Sequence, residues 1–252
     1  RKTARVDLKQ GLTPIRVEYF EHTGEQSILF NWSGPGISGT QWLSDERSKQ
    51  GRKRKPPVVI DLTPTGKESA IYNHFLNGTT PRSLAVGHPN GSNFAFSTKN
   101  CSMDIIWSGK FISAGRHWTG RGTGRTDPLG SNRLPLGENG FVTDAPVQFK
   151  GYKLNALRQP ILSYTVGDSI ITDAILPGTT NHQLVRTINI KGNQTLTFKA
   201  VTGIPITPLD KKTFQLAGSW KLALPDVPTE ATKDSVLLKL APGTHTITYS
   251  IK

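Results

Sequence analysis

The feature that most constrains this chain is how its turn residues are spaced. Its 25 Gly and 17 Pro recur from one end to the other, and short runs rich in β-branched and aromatic residues fill the gaps between them. No segment keeps the 3.6-residue apolar period of a helix for long, whereas alternation at period two is common, and this predicts many short strands joined by tight turns. Beyond residue 57 such runs fall at residues 58–62, 93–98, 103–107, 161–166, 169–176, 183–190, 195–201, 235–240 and 244–251. Asn90-Gly91, Lys191-Gly192-Asn193 and Pro242-Gly243 supply turns between them. The predicted fold class is all-β, an antiparallel β-sandwich over residues 58–252.

With 252 residues the chain has room for one large β domain and part of another. The break is expected at Arg47-Ser48-Lys49-Gln50-Gly51-Arg52-Lys53-Arg54-Lys55, followed by Pro56-Pro57, so that residues 46–57 read as a basic, Pro-ended linker. No aromatic residues interleave that run and no recognition helix follows it. Such a run could hold nucleic acid or an acidic surface, but it is read as an exposed linker kept soluble by its charge, and nucleic acid is not expected as a partner of this +13 chain. No apolar run approaches the roughly 18 residues of a membrane-spanning helix, and no membrane span is predicted. The opening Arg1-Lys2-Thr3-Ala4-Arg5 leads straight into strand-like sequence, as expected if the chain is processed or continues upstream.

Before the linker, alternation at Ile15-Arg16-Val17-Glu18-Tyr19-Phe20 and at Ser27-Ile28-Leu29-Phe30-Asn31-Trp32 predicts a hairpin, and Ser33-Gly34-Pro35-Gly36 suits a tight turn after it. The stretch Gly11-Leu12-Thr13-Pro14-Ile15-Arg16-Val17-Glu18-Tyr19-Phe20, with Gly24 and Leu29-Phe30-Asn31-Trp32-Ser33-Gly34-Pro35-Gly36-Ile37, resembles the final strands of PA14 domains. Those are β-sandwiches of secreted glycosidases, adhesins and toxins. The resemblance implies that residues 1–45 are the closing strands of an incomplete PA14-like sandwich. Nothing in residues 1–45 matches the paired-aspartate calcium motif of the sugar-binding members.

Residues 112–147 are the least regular part. Gly115, Gly120, Gly122, Gly124, Gly130, Gly137 and Gly140 accompany Arg116, His117, Trp118, Arg121, Arg125 and Arg133, without helix or strand periodicity. Two readings stand side by side. In one, Arg116, His117, Trp118, Arg121 and Arg125 converge on a concave patch that holds an anion or an acidic sugar. In the other, the segment is a loop packed by Trp118 and Leu129, with arginines tying down main-chain carbonyls. Trp42, Trp107 and Trp118 are the candidate exposed aromatics.

The segments Glu68-Ser69-Ala70-Ile71-Tyr72-Asn73-His74-Phe75, Arg82-Ser83-Leu84-Ala85-Val86-Gly87, Asn93-Phe94-Ala95-Phe96, Ile106-Trp107-Ser108-Gly109-Lys110-Phe111 and His117-Trp118-Thr119-Gly120-Arg121-Gly122 resemble a region of large secreted c-type cytochromes of planctomycete and verrucomicrobial bacteria. The likeness spans much of residues 56–200. It implies an extracellular or periplasmic setting, with any haem c carried on a flanking domain or partner.

Motifs for self-contained catalysis are missing. Gly120-Arg121-Gly122-Thr123-Gly124 is not a dinucleotide fingerprint, and no phosphate-binding loop, zinc-protease or nucleophile-elbow motif occurs. The single Cys101 excludes an internal disulfide and a covalent haem motif, and the six His lack ligand spacing. Neither a metal nor a cofactor is predicted within the chain. The sequence reads as a non-catalytic glycan-binding or scaffolding portion of a larger secreted protein, whose partners are the rest of that protein and a polysaccharide or acidic glycan. The alternative is an accessory domain of an extracellular cytochrome or sugar oxidoreductase.

Overall fold

The computed structural model describes residues 3–18, 30–42, 58–73, 75–119 and 124–251. The chain divides into two units, Arg1–Pro56 and Pro57–Lys252. The basic run and its prolines lie outside the described residues.

In the first unit, β1 (Asn31–Trp32) pairs antiparallel with β2 (Gln41–Trp42), Asn31 opposite Trp42. The predicted turn closes this ribbon. Ile37 N–H donates to the Gly34 carbonyl at 3.1 Å, and Gly36 takes a φ of 77°, which a side chain would resist. The expected strand at residues 15–20 is not found over its described part, Ile15 to Glu18, while Tyr19 and Phe20 lie outside the described residues. Alternation becomes a strand only when something covers its apolar side. Ile15 and Val17 are about half exposed, and Arg16 pairs with Glu18 two residues on.

The second unit is an antiparallel sandwich. One layer is an eight-stranded sheet in the order β14 (Ile206–Pro208), β15 (Thr213–Leu216), β16 (Trp220–Ala223), β19 (Gly243–Ile251), β12 (Leu184–Lys191), β11 (Ser169–Pro177), β10 (Pro160–Val166) and β9 (Val147–Leu154). Facing it are two smaller sheets. The four-stranded one runs β17 (Thr229–Ala231), β18 (Ser235–Leu240), β13 (Leu196–Thr202), β8 (Gly140–Val142). The five-stranded one is a meander of β3 (Ala70–Asn73), β4 (Ser83–Gly87), β5 (Ser92–Ser97), β6 (Ser102–Ser108) and β7 (Ser131–Pro135). Because side chains alternate along a strand, Leu162, Tyr164 and Val166 of β10, Ile171 and Ile175 of β11 and Leu184, Ile188 and Ile190 of β12 share one face. They form a single core with Phe198, Val236 and Leu238 from the four-stranded sheet and Val86, Phe94, Phe96 and Met103 from the five-stranded one. Each such side chain taken from water is worth about 1.5–3 kcal/mol.

The five-stranded sheet is buried on both faces. Its other side carries Ala85, Ala95, Ile105 and Trp107, covered by Ile60, Leu62, Phe111, Ile112 and Ala114. Trp107 lies flat on Phe111, ring centres 5.8 Å apart, and its indole N–H donates to the Lys110 and Phe111 carbonyls. Trp107 is therefore a core residue and not the exposed platform expected of it. Residues 58–62, expected as a strand, are instead a covering segment. They are held by Leu62 N–H on the Ile112 carbonyl, Ala114 N–H on the Ile60 carbonyl and a single bridge at Asp61.

One polar pair stands inside this apolar layer. Asp173 on β11 and Arg186 on β12 occupy inward positions and are both 0% exposed. Asp173 lies opposite Ile188 and Arg186 opposite Ile175, so the two meet diagonally. Arg186 Nε donates to both carboxylate oxygens at 3.1 and 3.2 Å, Nη2 donates to Oδ2 at 2.6 Å, and the Tyr164 hydroxyl donates to the same oxygen at 3.0 Å. The Phe198 ring of the facing sheet covers the guanidinium at 4.9 Å. Breaking such a pair leaves a naked buried charge. Asp173→Ala is expected to cost about 3–5 kcal/mol, and an apolar pair replacing both residues should recover most of it. Urea unfolding of the two variants checks this.

Candidate functional site

Residues 112–147 are not one loop. Ile112 and Ser113 bridge to Pro128 and Asp61, and α1 (Gly115–Trp118) makes a single turn before β7 and β8 return the chain to the sheets. The glycines misled the pattern because several serve close packing rather than mobility. A Cβ at Gly115 would run into the Val58 carbonyl, and one at Gly130 into the Ser108 and Lys110 carbonyls.

Four of the five residues predicted to converge here lie among the described ones; Arg121 does not. Arg116 Nη1 donates to the Arg125 carbonyl at 2.6 Å, and Arg125 Nη1 donates to the Leu76 and Thr79 carbonyls at 3.2 and 3.0 Å. His117 Nε2–H donates to the Gly124 carbonyl at 2.9 Å, so its Nδ1 accepts from the Tyr72 hydroxyl, also at 2.9 Å. The Trp118 ring is 61% exposed and its centre lies 6.2 Å from that of Tyr72. The charged forks of Arg116 and Arg125 thus point at main chain, which stitches α1 to the turn after β3.

A second constellation has the form of a nucleophile and base. The Ser69 hydroxyl lies 2.7 Å from His88 Nδ1, and His88 Nε2 lies 3.1 Å from the Ile175 carbonyl. Since a carbonyl can only accept, Nε2 carries the proton and Nδ1 accepts from Ser69. Both residues are buried, at 3% and 1% exposure, and the histidine ties the end of β4 to β11. This is a link between sheets that no substrate reaches. Desolvation pushes the His88 pKa down to about 4, partly opposed by the carbonyl bond.

Among the depressions that the described residues of the sandwich form are two of unequal size. The larger, about 630 Å³, lies between the four- and five-stranded sheets and is lined by Asn100, Asp104, Glu138, Phe141, Thr143 and Lys199 among others. Burial raises the Asp104 carboxyl above its usual range, against hydrogen bonds from Thr80 N–H and the Ser83 hydroxyl. The Phe141 ring meets Phe198 in a T-shaped contact, ring centres 5.1 Å apart.

The smaller cleft, about 390 Å³, lies where the starts and ends of β3, β4 and β5 meet β9. Leu84 and Phe149 are among the side chains that line it, with Phe75 (47% exposed) and Tyr152 (39%) more open, and Asn73, Arg82, Ser83 and Thr98 supplying polar groups. A β-bulge makes this wall. Tyr164 pairs with Phe149 but Ser163 pairs with Gly151, so Lys150 is the extra residue and Tyr152, opposite Leu162, returns to the face Phe149 occupies. Gly151 takes a φ of 128° there. None of these cleft residues was named from the sequence as a binding residue, yet a signal exists. In Val147-Gln148-Phe149-Lys150-Gly151-Tyr152-Lys153-Leu154 the alternation slips by one at Lys150-Gly151, the mark of a bulge.

Among the described residues no three of His, Cys, Asp or Glu gather as a metal would require, and no helix is long and apolar enough to cross a membrane. No family model, no curated protein and no solved structure matches the chain.

Two outcomes follow from this geometry. Between the unfolded histidine pKa near 6.5 and about 4, the unfolded chain holds a proton at residue 88 that the folded one refuses, so stability should fall as pH drops through that window, by about 3 kcal/mol in all. His88→Gln should flatten that part of the curve in urea titrations run at stepped pH. Arg125→Ala, which strips two carbonyls of their donor, should lower stability by about 1–3 kcal/mol, read from the same unfolding curves.

Proposed function

We propose that the chain is a non-catalytic glycan-binding or scaffolding portion of a larger secreted multidomain protein, and that the glycan seats in the cleft between β9 and the five-stranded sheet. The observation that carries this reading is the pair of partly open rings, Phe75 and Tyr152, in a cleft with Leu84 and Phe149. A pyranose offers an apolar C–H face and a rim of hydroxyls. The first suits an aromatic ring, and the second suits the Asn73 amide and the Thr98 hydroxyl oxygen, which gives its proton to the Arg82 carbonyl and still accepts. The cleft's size is at the lower end of small-molecule sites.

Support for binding without turnover comes from the lining itself. Glycoside hydrolysis uses paired carboxylates, and the described residues lining this cleft include none. Asp104 faces the other depression and is held by Thr80 and Ser83, while the Ser69 and His88 pair is shut inside the sandwich. The secreted setting is supported by the two sequence resemblances described above.

The rings predict which substitutions matter. Tyr152→Ala should weaken an oligosaccharide by about threefold to tenfold, the worth of one lost stacking contact. Trp118→Ala, removing an exposed ring elsewhere, should leave affinity unchanged. Affinity electrophoresis through a panel of polysaccharides reads both, and equal retardation of wild type and Tyr152→Ala in every gel would defeat the assignment of the cleft.

A further inference from the structure

We infer that this cleft selects a carboxylated sugar, a uronate, whose ring lies on Tyr152 and whose carboxylate is received by the Arg82 guanidinium. The inference rests on the glycan reading and adds the charge of the ligand.

The arginines of the sandwich unit differ in where they spend their donors. Arg116 and Arg125 donate to carbonyls. Arg133 donates to the Gly130 and Pro128 carbonyls and lies 3.8 Å from Asp127, Arg158 lies 3.8 Å from Glu68, and Arg186 is consumed by Asp173. Among the described arginines of this unit, Arg82 alone has a guanidinium with neither a hydrogen bond nor an ion pair within the chain, and it lines the aromatic cleft. Among the described residues, no carboxylate lines that cleft to neutralise it.

The main chain beneath Arg82 is well held. Pro81 precedes it with a fixed φ, and the Arg82 carbonyl accepts from both the Thr98 N–H at 2.9 Å and the Thr98 hydroxyl at 2.7 Å. A planar fork on a fixed backbone, beside aromatic rings, matches a ligand with a carboxylate attached to a stackable ring. The rings supply contact area, and the guanidinium decides which rings are accepted. The chain's +13 net charge draws such a ligand in from solution without conferring selectivity.

The experiment is isothermal titration of the whole chain with four probes: an oligogalacturonate, its methyl ester, a sulfated neutral oligosaccharide and an acidic peptide. The free acid should bind about tenfold or more tightly than the ester, as expected for a charge-assisted hydrogen bond in a partly exposed site. Arg82→Gln should erase that preference while leaving the ester's affinity unchanged, and Arg82→Lys should keep part of it. Lys150→Gln, which removes the same charge from the bulge, should leave the preference intact and so separate the fork from the general field. Thermal melting of each variant confirms folding, since the Arg82 side chain is exposed. Equal binding of acid and ester, a preference that survives Arg82→Gln, or tighter binding of the sulfated or peptide probe would each overturn the uronate assignment while leaving glycan binding in place. Failure of every saccharide to bind would end both.

Discussion

A guanidinium and a carboxylate stand at the centre of this sandwich, at two positions where strand alternation calls for apolar side chains. Neither charge is tolerable there alone, because the interior offers no water to solvate it. Together they hold the register of β11 against β12, since slipping one strand by a single residue would turn its charge outward and strand the other. The pair also engages its surroundings. Tyr164 of the neighbouring strand donates to Asp173, and Phe198 of the facing sheet covers Arg186. The desolvated site pushes the Tyr164 hydroxyl well above its usual pKa and the nearby Cys101 thiol up to about 12, burial being the larger cause in both and the Asp173 charge the next. Cys101 is accordingly a packing residue. Arg186 Nη1 finds no partner, a cost the rest of the core has to offset.

The constraint next in importance is that the five-stranded sheet is covered twice. Its inner face meets the eight-stranded sheet, and its outer face is closed by the segments around Ile60 and Ile112. Short cross-links pin the layers to one another: His88 to the Ile175 carbonyl, the Trp220 indole N–H to the Asn132 carbonyl at 2.6 Å, and the Tyr249 hydroxyl to the Ala200 carbonyl at 3.2 Å. The aromatic cleft is a product of the same packing. The inner face of the eight-stranded sheet runs on through Phe149 to Tyr152 where the covering strands begin and end, so side chains that would belong to the core are left partly open to solvent.

Much of the fold was legible in the sequence, and the reason is the solvation of one face. Strands β10, β11, β12, β18 and β19 alternate inward and outward, so their period of two shows in the residues. Strand β4, buried at every residue, has no period to read, and Ser83-Leu84-Ala85-Val86-Gly87 was not read as a strand. The glycines of residues 112–147 misled for a related reason. Glycine required for close approach and glycine required for a flexible loop look alike until the opposing carbonyl is known.

What the sequence determined by itself is the all-β class and the place of eight of the seventeen strands described in the second unit; each depends on local periodicity or on residues adjacent in the chain. What only the tertiary structure decided is which polar residues are spent and which are left over. Arg82, Arg116, Arg125 and Arg186 are equivalent as letters. Burial, a diagonal register and the nearness of particular carbonyls commit three of them to holding the fold, and leave the fourth beside an aromatic wall assembled from strands more than fifty residues apart.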